Sequence, residues 1–103
     1  MQLNNQQPLF MKTKFNIALI GGRGYVGQEI IHILNQHPNF ELCKAFSRTA
    51  ADTEVDGYNQ HPTLKYSLLE DSNLDLDNID IAILALSNGD SNKYVTEIDL
   101  KYP

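Results

Sequence analysis

Between Gly21 and Gly27 the chain reads Gly-Gly-Arg-Gly-Tyr-Val-Gly, which contains Gly22-x-Gly24-x-x-Gly27 and, in a second frame, Gly21-x-x-Gly24-x-x-Gly27. Three jobs at such a place call for glycine: a sharp turn off a strand, close approach of backbone to a pyrophosphate, and tight packing of the next helix on the sheet. The start of that helix, at Tyr25 and Val26, would offer unpaired N–H groups and a partial positive charge to the anion. A glycine pattern alone is weak. Here it follows an apolar run, Phe15–Ile20, and opens an amphipathic stretch, which is the context that gives the pattern its meaning. A dinucleotide site also needs a group that reads the adenosine ribose. An acid about 20 residues past the glycines would take the 2′-hydroxyl of NAD. This chain has Ser47-Arg48-Thr49 instead, about 24 residues after Gly24. A hydroxyl and a guanidinium suit a 2′-phosphate, so the expected cofactor is NADP. Arg23 reads either as a second phosphate contact or as a solvent-facing loop charge. Leu86, Ser87 and Asn88 follow another apolar run and either line the cofactor or form a plain strand-to-helix turn.

The elements that must hold these residues are legible from periodicity. FNIALIG is a near-continuous apolar run ended by glycines, the pattern of a strand covered on both faces, with the parallel strand at Asn16–Ile20. Tyr25–Gln36 is predicted helical, with Val26, Ile30, Ile33 and Leu34 on its inner face and Ile31 widening it; Pro38 ends it. Phe40–Ser47 is a second strand with its parallel core at Leu42–Phe46, and a long polar loop runs from there to Pro62. Leu64–Leu69 is a short strand with Tyr66 and Leu68 on one face, and Leu74, Leu76 and Ile79 lie in an acidic connector. Ile79–Leu86 is the second strongly buried run, with the parallel strand at Ile81–Leu86. Ser91 is a candidate cap for a last helix through Ile98, with Tyr94, Val95 and Ile98 inward. The order predicts an α/β fold, a doubly wound and mostly parallel sheet of the Rossmann type, incomplete at its C-terminal end. Residues 1–13, rich in Asn and Gln, are read as a mobile leader, and 14–103 as the N-terminal part of a dinucleotide-binding domain.

Composition narrows the classes. The 103 residues, 42% hydrophobic and 20% charged, are those of one ordinary globular domain. No run nears the ~20 apolar residues of a membrane span, and the polar start does not resemble a secretory signal. A single cysteine excludes an internal disulfide and a cysteine-rich metal site, and fits a reducing cytoplasm. Residues 1–51 hold five Lys/Arg against two Asp/Glu, net +3, whereas residues 52–100 hold two against eleven, net −9. No basic stripe is offered to a nucleic acid, but a small anion near the N-terminal half is compatible.

The residues GGRGYVG, QEIIHILNQHPNFEL, Ser47-Arg48 and LALSNGDS together resemble the amino-terminal part of the N-acetyl-γ-glutamyl-phosphate reductases, in the semialdehyde dehydrogenase superfamily. The similarity runs from about Lys14 to Val95. Arg23 stands where that family usually has a small hydroxyl residue, and Ser87-Asn88 replaces a common Pro-His. The resemblance implies NADP-dependent reduction of an acyl phosphate to an aldehyde in arginine biosynthesis. It also implies a cysteine nucleophile and an assisting histidine, both from segments after the portion seen here, and a homo-oligomer built through that further domain. On this reading no catalytic or metal-binding residue is assigned in the chain. Cys43 is expected to be a buried, inert thiol within the second strand, and His32, His37 and His61 are expected to be structural. A sister reductase acting on aspartyl or carrier-bound aminoadipyl phosphate, and a non-catalytic NADP-binding sensor, share this half and remain open.

Overall fold

In the computed structural model, which describes residues 13–22, 24–70, 74–86 and 88–101 (backbone alone at 88 and 89), Phe15–Ile20 form the first strand, β1. It is followed by helix α1 (Tyr25–Asn35), strands β2 (Phe40–Ser47), β3 (Tyr66–Leu68) and β4 (Ile81–Leu84), and helix α2 (Asn88–Lys101). The strands make one sheet in the order β3-β2-β1-β4, and all three pairings are parallel. Parallel neighbours need crossovers, which α1 supplies between β1 and β2.

Side chains alternate across a strand, and the two helices use the two faces. Ile17 and Leu19 point toward α1 and pack with Ile31, Leu34, Leu42 and Ala45. Ala18 and Ile20 point the other way and pack with Tyr94 and Ile98 of α2. This is the doubly wound α/β arrangement anticipated above. The polar-looking loop after β2 is more than a connection. It crosses on the α1 side, adds Ala50, Val55, Tyr58 and Leu64 to that core, and carries an antiparallel bridge between Glu54 and Lys65. The Tyr58 hydroxyl accepts the Leu42 N–H at 2.8 Å, which pins the loop to β2.

Asp80 is fully buried where the chain enters β4. Its carboxylate accepts the Asn16 N–H at 2.7 Å, and its own N–H donates to the Asn16 carbonyl at 2.8 Å. Asn16 Nδ2 donates to the Asn78 carbonyl as well. A buried carboxylate is tolerable because it is hydrogen-bonded, and here it sets the register of β4 against β1.

Several expectations from periodicity are corrected. The buried stripe of α1 is Gly27, Ile31 and Leu34, while Val26 and Ile33 are 59% and 51% exposed. The helix is seated by its glycine, and that rotates the stripe by one residue. The strand after Asp80 is Ile81–Leu84, shorter than Ile81–Leu86, and all four residues are only half-buried because β4 is an edge. Leu68 is exposed although Tyr66 beside it is buried. Helix α2 begins at Asn88, so Ser91 lies inside it and donates its hydroxyl to the Leu86 carbonyl. Val95 is 40% exposed, leaving Tyr94 and Ile98 as the inward residues. The 1–13 leader, apart from Thr13, lies outside the described residues.

The rotated stripe is testable. Ile31→Ala should cost about 2–5 kcal/mol in urea unfolding, the usual range for truncating a buried isoleucine. Ile33→Ala should stay within about 1 kcal/mol as an exposed-site change. Equal losses would restore the face that periodicity predicts.

Candidate functional site

Three strand ends converge at the glycine turn. The Gly21 N–H donates to the Phe46 carbonyl at 2.9 Å, and the Ala85 N–H donates to the Ile20 carbonyl at 2.9 Å. Gly21 has φ +88°, a left-handed conformation that side-chain-bearing residues rarely take. A Cβ there would also overlap the Leu86 side chain and stand 2.9 Å from the Ala85 carbonyl oxygen. Gly27 is needed for a different reason: a Cβ on it would overlap the Gly22 carbonyl and lie 2.6 Å from the Gly22 Cα. Gly22 is tight, with Leu19 and Tyr66 side-chain atoms 3.0 and 3.1 Å from a Cβ position.

Gly24 differs from all of these. A Cβ placed on it meets nothing within 4 Å. It is the N-cap of α1, makes no side-chain cap bond, and is followed by a first turn without an acid. Helix geometry leaves the first N–H groups without intrahelical partners, and the macrodipole adds partial positive charge. Open space beside an uncapped, acid-free helix start is what a phosphate-bearing ligand needs, so these residues fit a dinucleotide pyrophosphate. Tyr25, 81% exposed, and Val26 rim the turn. Gln28, outside the glycine pattern, donates Nε2 to the Gly22 carbonyl at 3.3 Å and braces it.

The second group of candidates lies at the end of β2. Ser47 is buried, and its Oγ accepts the Thr49 and Ala50 N–H groups at 3.2 and 3.1 Å. The structure therefore gives Ser47 a local job, shaping the turn that carries Arg48. Arg48 is exposed and reaches toward α2, where its Nη2 donates to the Tyr94 hydroxyl at 3.0 Å. Leu86 walls Gly21, which brings the end of β4 to the turn as expected. Arg23 and Ser87 lie outside the described residues, as does the Asn88 side chain; the Asn88 backbone opens α2. Tyr94 was legible only as an inward residue. Its apolar-face spacing hid a hydroxyl that meets Arg48.

Cys43 departs from the buried thiol that its strand setting predicts. The register of β1 and β2 shifts between Ile17 and Ala18, so Ile17 faces Leu42, Ala18 faces Lys44, and Cys43 forms the bulge. The thiol is half-buried and lies 3.4 Å from Glu41 Oε2, in a cavity of about 300 Å³ lined also by Gln60 and His61. Desolvation and the Glu41 carboxylate push its pKa up to about 11, so it is a poor nucleophile near neutrality. Lys14 pairs with the other Glu41 oxygen at 2.9 Å and, by that hydrogen bond, holds the Glu41 pKa below its usual value. Cys43 is also four residues from the end of β2, roughly 13 Å along the strand from the glycine turn. The three histidines are exposed; His32 shares a hydrogen bond with Gln36, and His37 packs on Phe40. Among the described residues no group of three His, Cys, Asp or Glu could hold a metal ion.

Two outcomes follow. Gly24→Ala should leave the unfolding midpoint nearly unchanged yet weaken dinucleotide binding, whereas Gly27→Ala should destabilise the fold by about 1–3 kcal/mol through overpacking. Calorimetry and urea unfolding on both variants separate the roles. The Cys43 thiol should react with iodoacetamide far more slowly at pH 8.5 in the native chain than in urea. Its folded pKa of about 11 lies above the ordinary thiol value of 9.0, so between those limits the unfolded chain releases the proton first. Stability should therefore fall as pH rises from 9 to 11, and Cys43→Ser should flatten that slope.

Residues 16–101 match the family described as Semialdehyde dehydrogenase, NAD binding domain. The chain is 34% identical over 96 residues to "Protein arg-6, mitochondrial" of Neurospora crassa, covering 90% of this chain and 11% of that protein. It is 33% identical over 88 residues to "Protein ARG5,6, mitochondrial" of Candida albicans, covering 82% and 10%. It is 34% identical over 89 residues to "N-acetyl-gamma-glutamyl-phosphate reductase" of Xanthomonas oryzae pv. oryzae, covering 84% and 28%. The chain thus spans between a tenth and just over a quarter of the length of these relatives. The family's description and the geometry of the turn agree on a nicotinamide dinucleotide as the cofactor class. With the match extending from β1 through the end of α2, this chain belongs to the semialdehyde dehydrogenase NAD-binding domain family.

Proposed function

We propose that the chain is the cofactor-binding part of an NADP-dependent reductase that converts N-acetyl-γ-glutamyl phosphate to the corresponding semialdehyde in arginine biosynthesis. The observation that carries this reading is the open helix start at Gly24, after a turn whose Gly21 is packed on Leu86 and bonded to Phe46, two residues before Arg48. The names of the reductase relatives supply the substrate class. Residues 14–103 are the N-terminal portion of the dinucleotide domain, and the substrate-handling residues and subunit contacts of a homo-oligomer belong to the rest of the polypeptide. A cytoplasmic location fits the single thiol, and fractionation tests it, since two relatives carry "mitochondrial" in their names.

When bound, the dinucleotide supplies a hydride. The chain's own residues hold and orient it: the first-turn N–H groups of α1 take the pyrophosphate, and Gly24 lets it approach. Arg48 takes the 2′-phosphate, whose doubly charged oxygens match a guanidinium fork. Leu86 closes the apolar side of the turn. Among the described residues, none is placed at the glycine turn to supply the thiolate and proton-transfer group that acyl-phosphate reduction requires.

Arg48→Ala should weaken NADP(H) by about 10–100-fold, the worth of a hydrogen bond to a charged group, and leave NAD(H) nearly unchanged. Equal losses for both cofactors in titration calorimetry would move the 2′-phosphate away from Arg48. The 103-residue chain alone, given NADPH and N-acetyl-γ-glutamyl phosphate, should show no NADPH oxidation beyond the blank. Turnover that vanishes in Cys43→Ser would make that cysteine the nucleophile and overturn the assignment.

A further inference from the structure

The residue that presents Arg48 to its ligand sits 46 positions further along the chain. Arg48 is an exposed side chain with many rotamers, and a guanidinium that must first be ordered binds an anion less well than one already in place. Its Nη2 donates to the Tyr94 hydroxyl at 3.0 Å, and its guanidinium carbon lies 6.0 Å from the centre of the Tyr94 ring. Tyr94 itself is fully buried on α2 and cannot move with the arginine. Its hydroxyl has one proton, and that proton is committed, because it is donated to the Glu70 carbonyl at 3.1 Å just beyond β3. The lone pairs left over point to Arg48, so toward it the tyrosine acts as an acceptor. The ammonium of Lys93, one of only two basic residues between positions 52 and 100, lies 5.7 Å from the same ring. Arg48 from the basic half and Lys93 from the acidic half thus gather around one tyrosine, where the segments after β2 and β3 meet α2.

We infer that Tyr94 is a positioning residue for cofactor choice: it holds the Arg48 guanidinium, through its hydroxyl and ring, at the place where the 2′-phosphate of NADP(H) arrives. The inference rests on the reading of Arg48 as the 2′-phosphate partner. The Tyr94–Glu70 bond makes this preset depend on the segment after β3 as well as on β2 and α2.

The test measures the dissociation constants of NADP and NAD by calorimetry on the full-length protein, with thermal midpoints recorded alongside. Tyr94→Phe removes the hydroxyl and keeps the ring. It should raise the NADP constant about fivefold while NAD stays within about twofold, a smaller effect than Arg48→Ala because the charge remains. In the Arg48→Ala background, Tyr94→Phe should change the NADP to NAD ratio no further. A purely structural role would weaken both cofactors together and would persist in the double variant. If Arg48→Ala lowers NADP preference but Tyr94→Phe leaves the ratio at its wild-type value, the inference fails and the reading of Arg48 stands. If Arg48→Ala affects both cofactors equally, that reading fails, and this inference with it. Should Tyr94→Phe not fold, Arg48→Lys serves: a point charge cannot hold the tyrosine and present a planar fork at once, so NADP preference should drop, and an unchanged ratio would overturn the proposal.

Discussion

The contact between Gly27 and Gly22 is the constraint on which the rest depends. With no Cβ on Gly27, the first turn of α1 lies directly on the backbone of the loop that leaves β1. That contact decides which face of the helix touches the sheet, hence the burial of Ile31 and Leu34 and the exposure of Val26 and Ile33. It also aims the N-terminus of α1 at the space beside Gly24, where the ends of β1, β2 and β4 come together. One absent methyl group thus connects packing of the core to the direction of a helix dipole.

Around that contact the sheet sorts its side chains with a period of two, and each face is closed by a different device. On one side α1 and the long loop after β2 share the work, with Tyr58 bonded to Leu42 through its hydroxyl. On the other, α2 and the 74–79 connector cover Ala18 and Ile20 with Leu74, Leu76, Ile79, Tyr94 and Ile98. Asp80 joins the two ends of this plan, because its buried carboxylate is bonded to the backbone of Asn16 at the start of β1. The glycine turn lies at the opposite, C-terminal ends of the strands. There, too, polar groups link distant parts: Arg48 after β2, the Glu70 carbonyl after β3 and the Tyr94 hydroxyl on α2 form one chain of hydrogen bonds.

Family membership and geometry meet at the same residues. The matched segment, residues 16–101, contains β1, the glycine turn, both helices and the whole sheet. It contains one thiol, and the structure keeps that thiol protonated, in a bulge away from the strand ends. The helix start, open at Gly24 and without an acid in its first turn, is suited to an anion.

The sequence by itself determined the local elements and their order. Runs such as FNIALI admit only a covered strand, and glycines at 21, 24 and 27 between a strand and a helix admit few turns. Those signals are legible because they depend on neighbours within a few positions. Tertiary structure alone decided which side of α1 is buried, because the Gly27 contact outranks the apolar count. It also decided that β4 is a half-exposed edge, that Cys43 falls on a bulge, and that the polar loop closes a core. It joined Arg48 to Tyr94, since a hydrogen bond between residues 46 apart leaves no periodic trace in the chain. Local pattern specifies what an element is, whereas contacts between elements specify which atoms it shows to a ligand.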